Sequence, residues 1–476
     1  MFKRIIFVAA IVLWTIAVSA KVRLPQVLSD GMVIQQQTEV RFWGYANPRT
    51  AVKVSPSWQR EKQVVRSDAQ GYWEVFVRSP RASFSPLSIG FSDGEEVWIK
   101  NILSGEVWLC GGQSNMEMPV RGFDDCPVEG YADAVATAGR YSDIRYVKIP
   151  ARMSSHPLDD APCSWQQITP STVGDCSAVG YAFAQVLSNA LHVPIGLVLA
   201  NKGGSSIESW LTEDELRQYT NEPTDSAAIA ARYPTDWMRP MLWGNGTFAP
   251  IRRYTIGGII YYQGCSNVGF NTAQYAERLA LLIDRWRKDF RSETLPFLFV
   301  QIAPYNYGDA GGTAAAELRE QQFAALRLIS HSSLVCTNDL VYPWEAEQIH
   351  PAQKRIVGQR LALAALGRHY KQAGVMFESA SARSLEVRGD TCIVHLDNTY
   401  RALFSAGDIQ GFEVAGTDGV FYPAKAHIVG NDALSVRSDQ VMKPMEVRYC
   451  FRNFLIGSVR NRAGLPLFPF RIRLEK

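Results

Sequence analysis

Four polar positions, each in its own loop, carry residue types that together can do acyl-transfer chemistry. Ser114 lies in "LCGGQSNMEMP", Leu109 to Pro119, among glycines and amides just after a short apolar run. A serine hydroxyl becomes a nucleophile only with a base within hydrogen-bond reach and donors aimed at the developing oxyanion. His350 is the best base among the seven histidines, because it stands just before a helical pattern, in the loop after a strand that ends at Asp339. His156, His192, His331, His369, His395 and His427 lack such a setting and read as surface or core residues. The backbone N–H groups of Ser114 and Gly204, with the side-chain amide of Asn267, would make a three-donor oxyanion hole; Gly203 is the alternative glycine. Taken singly, each of these is an ordinary turn residue. Taken in order along the chain, they describe one reaction.

The elements that must position them are legible as texture. From about residue 104 to 375, short β-branched runs alternate with helical patterns. "EVWLC" leads into the Ser114 loop, "IGLVLA" into "NKGGSS", and "GGIIYYQ" into "GCSN"; "PFLFVQIA" and "LVCTND" complete the set. Between them, Asn271 is placed to cap a helix in which Tyr275, Leu279, Leu282, Ile283 and Trp286 recur at helical spacing. "AAAELREQQFAALRLI" and "PAQKRIVGQRLALAALG" predict two more helices, with Pro351 in the first turn of the second. Alternating strand and helix implies an α/β fold with a mostly parallel sheet covered on both faces. In such sheets ligands bind beyond the carboxyl ends of the strands, which puts all four loops on one rim. Residues 21–103 predict an N-terminal β-rich domain, with "EVRFWGYA" and "GYWEVFVRS" as strands, and 376–476 a C-terminal β-rich region, either a separate domain or one that packs with the N-terminal strands.

Composition narrows the class of partner. Lys plus Arg is 49 against 46 for Asp plus Glu, a net charge of +3 without a basic block, which argues against nucleic acid and anionic membranes. Twelve Trp and nineteen Tyr are generous numbers. Aromatic faces stack on sugar rings, although core packing accounts for most of them. Lys3 and Arg4 precede the apolar "IIFVAAIVLWTIAV" and the small-residue site "VSA", which predicts a signal peptide over 1–20 and a secreted or periplasmic protein. An uncleaved anchor helix is the alternative; no later segment is apolar enough to span a bilayer. The eight cysteines follow no metal-ligand spacing, so no metal is expected. Cys110, Cys336 and Cys450 read as buried thiols, while Cys126, Cys163 and Cys176 lie in loop-like sequence where one disulfide is expected.

"GEVWLCGGQSNMEMPV", "IGLVLANKGGSSIESW", "GGIIYYQGCSN" and "IHPAQKRIVGQRLALAAL", in that order, resemble the sialate O-acetylesterase family of the SGNH hydrolases. The likeness extends to "VLSDGMVIQQQTEVRFWGYA", "ELREQQ", "IQGFEVAGTDGVFYPAKA" and "GLPLFPFRI", and so covers essentially the whole mature chain. The resemblance implies a three-layer αβα SGNH domain flanked by β-sandwich, jelly-roll-like elements. It implies removal of O-acetyl groups from sialic acids, with no cofactor. By position it makes Ser114 the nucleophile, His350 the general base, and Ser114, Gly204 and Asn267 the oxyanion hole. Gln113, Gln263, Gln348 and Cys265 fall beside them in the matching blocks. Glu117, Glu208 and Trp210 read as supporting residues, and Arg319 in "ELRE" as part of a solvated helix face, with a guanidinium for a sialate carboxylate as the alternative.

Two departures bear on mechanism. Where the third block usually reads Gln-Gly-Glu-Ser-Asn, this chain has Cys265, a small neutral replacement for the glutamate. Where the last block usually has aspartate two residues before the histidine, it has Gln348. Glu347, three residues before His350, is the candidate orienting acid, with Glu345 or a main-chain carbonyl as alternatives. Losing the carboxylate of a working triad costs about 10⁴ in rate. Two further readings follow: an esterase for acetylated xylan or another polysaccharide, and a carbohydrate-binding protein with a weakened site.

Overall fold

The computed structural model describes residues 22–474. The predicted signal segment, 1–20, lies outside the described residues. Seven strands lead to the first site loop: β1 (Val33–Gln35), β2 (Glu39–Tyr45), β3 (Ala51–Pro56), β4 (Gln63–Arg66), β5 (Tyr72–Arg78), β6 (Ser83–Ser92) and β7 (Glu96–Gly112). The alternating runs predicted as strands are β2 and β5, which pair antiparallel from Glu39 opposite Arg78 to Tyr45 opposite Tyr72. Their period-2 pattern buries Val40 and Phe42 on one and Trp73, Val75 and Val77 on the other.

The change of texture at residues 103 and 104 falls inside β7. One 17-residue strand starts in the N-terminal sheet, antiparallel to β6 and parallel to β1, and runs on into the middle of the α/β sheet. Ser104-Gly105, a turn signal in sequence, stays extended here. Gly105 serves a close approach instead: a Cβ there would lie 2.0 Å from the Pro194 carbonyl oxygen.

The remaining strands of this sheet are β8 (Ile144–Lys148), β9 (Trp165–Gln167), β10 (Ile195–Asn201), β11 (Gly258–Tyr262), β12 (Phe297–Val300) and β13 (Ser332–Val335). Their order is β13-β12-β11-β7-β10-β8-β9, parallel throughout except for β9. Eight helices accompany them: α1 (Ser114–Glu117), α2 (Tyr131–Thr137), α3 (Ala178–Leu191), α4 (Glu213–Tyr219), α5 (Ser226–Arg232), α6 (Tyr275–Asp289), α7 (Ala314–Leu328) and α8 (Lys354–Ala364). Successive residues of β7 point to opposite faces. Val107 and Leu109 join the core under α6 and α7, while Trp108 and Cys110 join the core under α3 and α8. The result is three layers, αβα.

Two predicted helix starts move. Asn271 does not cap α6; it takes a left-handed conformation (φ 52°) before a short 3₁₀ turn, and its amide donates to Glu222. Pro351 lies ahead of α8, which begins at Lys354.

The C-terminal strands, between Ser381 and Arg473, form a separate seven-stranded antiparallel sheet with its own core. Among the described residues no ladder joins them to the N-terminal strands. They dock on α7 instead, through Arg319, whose guanidinium donates to the carbonyls of Arg452 and Asn453, and through Asn453 Oδ1, which accepts the Ala315 N–H at 2.9 Å. Arg319 is therefore not on a solvated face; it is 1 % exposed. All eight cysteines are free, which corrects the expected disulfide. Cys126 faces His350, Cys176 packs in the core beside α3, and Cys163 packs against the opposite core. Among the described residues no helix is long and apolar enough to cross a membrane.

Candidate active site

Three adjacent strand ends, those of β10, β7 and β11, deliver the site. β7 ends at Gly112, and the chain turns at once into α1, pinned by the Gln113 N–H donating to the Tyr262 carbonyl at the end of β11. Ser114 begins α1 and remains partly accessible while Asn115 and Met116 beside it are buried. His350 arrives from the segment between β13 and α8. Its Nε2 stands 2.8 Å from Ser114 Oγ, the contact a nucleophile and its base require.

The His350 segment is held at several points. Asn115 Nδ2 donates to the Ile349 carbonyl at 3.0 Å, and Gln348 Oε1 accepts the His350 N–H at 3.1 Å. Glu345 accepts the N–H groups of Tyr342 and Ala352. Glu347 turns outward and accepts from Asn306 Nδ2 at 2.7 Å. Neither glutamate makes a hydrogen bond to the imidazole, so the carboxylate sought three residues before His350 is engaged elsewhere. Asp339, at the end of the preceding strand, is committed to Arg360 at 2.7 and 2.8 Å.

What faces His350 Nδ1 is Cys126 Sγ, at 3.7 Å. The thiol donates to Asp125 Oδ1 at 3.0 Å, leaving its sulfur lone pairs toward the ring. Phe123, from the same turn, packs edge-on against the imidazole with centroids 5.2 Å apart. Burial pushes the Cys126 thiol up to about 12, with Asp125 adding to it, so the group is a thiol and not a thiolate. Burial also pulls His350 down to about 4, helped by the nearby Lys354 ammonium and opposed by Asp125. Lys354 is itself fully enclosed and drawn down to about 7 by that burial. Near neutral pH His350 is therefore the free base.

The groups expected as oxyanion donors have different surroundings. Gly203 donates its N–H to Glu117 Oε2 at 2.8 Å, so it is spent on bracing the loop. Gly204, at φ +76°, and Ser114 have backbone N–H groups with no partner among the described residues. A side chain at 204 would meet the Trp237 ring at 2.6 Å as well as the unfavourable φ. Asn267 is fully buried and its amide is committed: Nδ2 donates to Glu208 Oε2 at 3.1 Å, and Oδ1 accepts from Ile207 N and Gln263 Nε2. Arg278 neutralises Glu208 on its other side. Asn267 thus braces the Gly204 loop against α6 and does not present a third donor.

The other matching positions are bracing groups too. Gln263 links Ser205 O, Asn267 and Tyr275, and Gln113 Oε1 accepts the Gly264 N–H at 2.8 Å. Trp210 Nε1 donates to Ser205 Oγ. Cys265 is buried beside Asn115 Nδ2, and burial raises its thiol, which removes it as a nucleophile. The sequence reading missed Cys126, Phe123 and Lys354. Only Lys354 carried a signal: it shares the i, i+3, i+7 face of Val357 and Leu361 and so had to be buried.

The mostly parallel sheet between two helical layers is the architecture of the SGNH-like hydrolases, the class that the sequence blocks resemble. Within that class, the family model described as "Carbohydrate esterase, sialic acid-specific acetylesterase" matches residues 104–367, and the chain belongs to this family. Sialate O-acetylesterase of Homo sapiens is 23% identical over 459 residues, covering 88% of this chain and 85% of that protein. That of Pongo abelii is 24% identical over 432 residues, covering 83% and 80%. Among solved structures, a novel carbohydrate acetylesterase from Xanthomonas citri is 33% identical, with a TM-score of 0.84 over 94% of this chain and 99% of that one. Carbohydrate deacetylation is the activity these relationships support.

Proposed function

We propose that the chain is an exported serine esterase that removes O-acetyl groups from sialic acids through an acetyl-enzyme. The observation that carries this is His350 Nε2 at 2.8 Å from Ser114 Oγ, beside two unpartnered N–H groups. Neutral His350 takes the Ser114 proton as Oγ attacks the acetyl carbonyl. The N–H groups of Ser114 and Gly204 receive the oxyanion, and the imidazolium returns its proton to the departing sugar oxygen. Water then repeats the sequence on the acetyl-serine. Cys126 acts as the positioning group: Nδ1–H donates to sulfur while the S–H is held by Asp125. This fixes the tautomer that leaves Nε2 free, without the full charge a carboxylate would set against the imidazolium. Export rests on the N-terminal sequence pattern.

A second reading, deacetylation of a neutral polysaccharide, is favoured by charge. Arg319, the guanidinium considered for a sialate carboxylate, is buried. The turns beside His350 carry exposed Asp124, Asp125, Glu129 and Glu347, which repel an anionic sugar. Release of p-nitrophenol from its acetate ester tests the mechanism. Ser114→Ala is expected to abolish it, and an inactive wild type refutes the esterase reading. Comparing acetate released from O-acetylated sialic acid and from acetylated xylan separates the two substrates.

A further inference from the structure

Two tryptophans on the rim are held in the open. Trp344 is 77% exposed, the largest exposure among the large hydrophobic side chains, and Trp237 is 47% exposed. An isolated exposed leucine needs no explanation, but an indole kept in water by a built support does. Trp344 is stacked on Tyr342 with centroids 4.5 Å apart and planes 5° from parallel. Tyr342 is in turn tied to Glu129 by its hydroxyl, and the Glu129 N–H donates to the Ala352 carbonyl at 3.1 Å. The same Glu345 carboxylate that accepts the Ala352 N–H accepts that of Tyr342, so the indole is built on the segment that carries His350.

Trp237 is fixed on the opposite side. Its ring lies against Gly204, close enough that a Cβ there would be 2.6 Å from it. Its carbonyl accepts from Ser209 Oγ, and Trp243 Nε1 donates to the neighbouring Asp236 carbonyl at 3.2 Å. Gly203, next in the chain, would place a Cβ 3.4 Å from Ser114 Cβ. One indole thus borders the Gly203-Gly204 loop beside Ser114, and the other stands on the segment that delivers His350 to Ser114.

We propose that Trp237 and Trp344 are stacking platforms for two sugar rings on either side of the acetylated one, so that the substrate is a glycan chain and not a free monosaccharide. This rests on the esterase reading and extends it. The electron-rich face of an indole attracts the slightly positive C–H face of a pyranose, and a rigid aromatic with few torsions to freeze binds at small entropic cost. Free exposed tryptophan would instead serve a protein contact, which makes no demand on chain length.

The test compares kcat/KM for acetate release from acetylated xylose and acetylated xylotetraose, and from O-acetylated sialic acid free and as the central residue of an α2,8-linked trimer. Wild type is expected to favour a chain over its monomer by about tenfold or more, mainly through KM, a factor equivalent to 1.4 kcal/mol. Trp344→Ala should erase most of that preference and Trp344→Phe retain part of it. Equal use of chain and monomer, or an unchanged preference in Trp344→Ala, overturns the proposal. Binding supplies a readout that does not need turnover: xylotetraose or the sialic acid trimer should change the tryptophan fluorescence of the Ser114→Ala protein, and this change should shrink with Trp344→Ala added. Absence of any response in the first protein counts against the platforms, whereas a response in a wild type that releases no acetate counts against the esterase reading alone.

Discussion

Replacing Cys126 by aspartate puts a carboxylate at the position that faces His350 Nδ1. The thiol sulfur is 3.7 Å from Nδ1, and the longer carboxylate arm brings an oxygen to about 2.8 Å, hydrogen-bond distance. An opposite charge this close raises an imidazole by roughly 1–3 pH units. The wild-type value of about 4 would then become roughly 5–7. The direction of the effect on rate follows from the need for a neutral base. Activity is present above the histidine pKa and lost as pH falls through it, so the acid limb of kcat/KM must move upward. At pH 5.5 the wild type keeps about 97% of its base neutral, whereas a variant titrating near 6.5 keeps about a tenth.

The plateau moves the other way. A carboxylate stabilises the imidazolium formed in the transition state, a contribution worth up to about 10⁴ in a serine protease. At pH 8 the variant should therefore exceed the wild type by at least about tenfold in kcat. Lys354, fully buried and electrostatically coupled to Cys126, supplies a counter-charge for the new carboxylate. Initial rates of acetate release between pH 3.5 and 9, with a thermal melt to confirm folding, make the measurement. Cys126→Ser keeps a short acceptor at the same place and should leave the limb below 6. If Cys126→Asp folds yet shows neither a shifted limb nor a raised plateau, position 126 does not face Nδ1 and the positioning role is refuted.

Other outcomes follow from single contacts. Gly204→Ala forces a side chain into the Trp237 ring at φ +76° and displaces a free N–H, so kcat should fall by about 10²–10³ with a smaller change in KM. Glu347→Gln should leave kcat within about twofold, because its carboxylate is bound to Asn306; a large loss would mean the loop rearranges to bring it to His350. Lys354→Met removes a charge that lowers His350 and should raise the acid limb, by less than Cys126→Asp does. Lys354 titrates near 7 when folded and 10.5 when not, so the unfolded chain holds the extra proton between these values and stability rises with pH across that window. Urea melts at pH 7 and 10 should show this rise in the wild type and less of it in Lys354→Met. Thiol titration of the denatured, unreduced protein should count eight, and a disulfide would lower the count by two.

The parts of the fold that were legible in the sequence are those set by local period. Five strands of the α/β sheet and the buried face of α6 follow from runs of apolar residues at spacings 2 and 3.6, and the strand ends then share a rim by topology alone. The sense in which a polar side chain points has no such local determinant. Asn267 sits where a donor was expected, yet its amide is drawn away by Glu208, 59 positions earlier in the chain, whose charge is balanced by Arg278. His350 finds its neighbour in Cys126, 224 positions away, in a turn with no periodic signal. Lys354 and Arg319 are a different kind of miss. Both lie in phase with buried helix faces, Arg319 with Ala315, Leu318 and Gln322, where a long cationic side chain has no solvent to reach. A buried cation without a bonded carboxylate persists only where its surroundings supply acceptors. Arg319 finds them in the carbonyls of Arg452 and Asn453, and Lys354 in that of Pro351. The phase of a charged residue in an amphipathic helix therefore carries information about the site. At Lys354 that information bears on the proposed base, because the ammonium helps burial to lower His350.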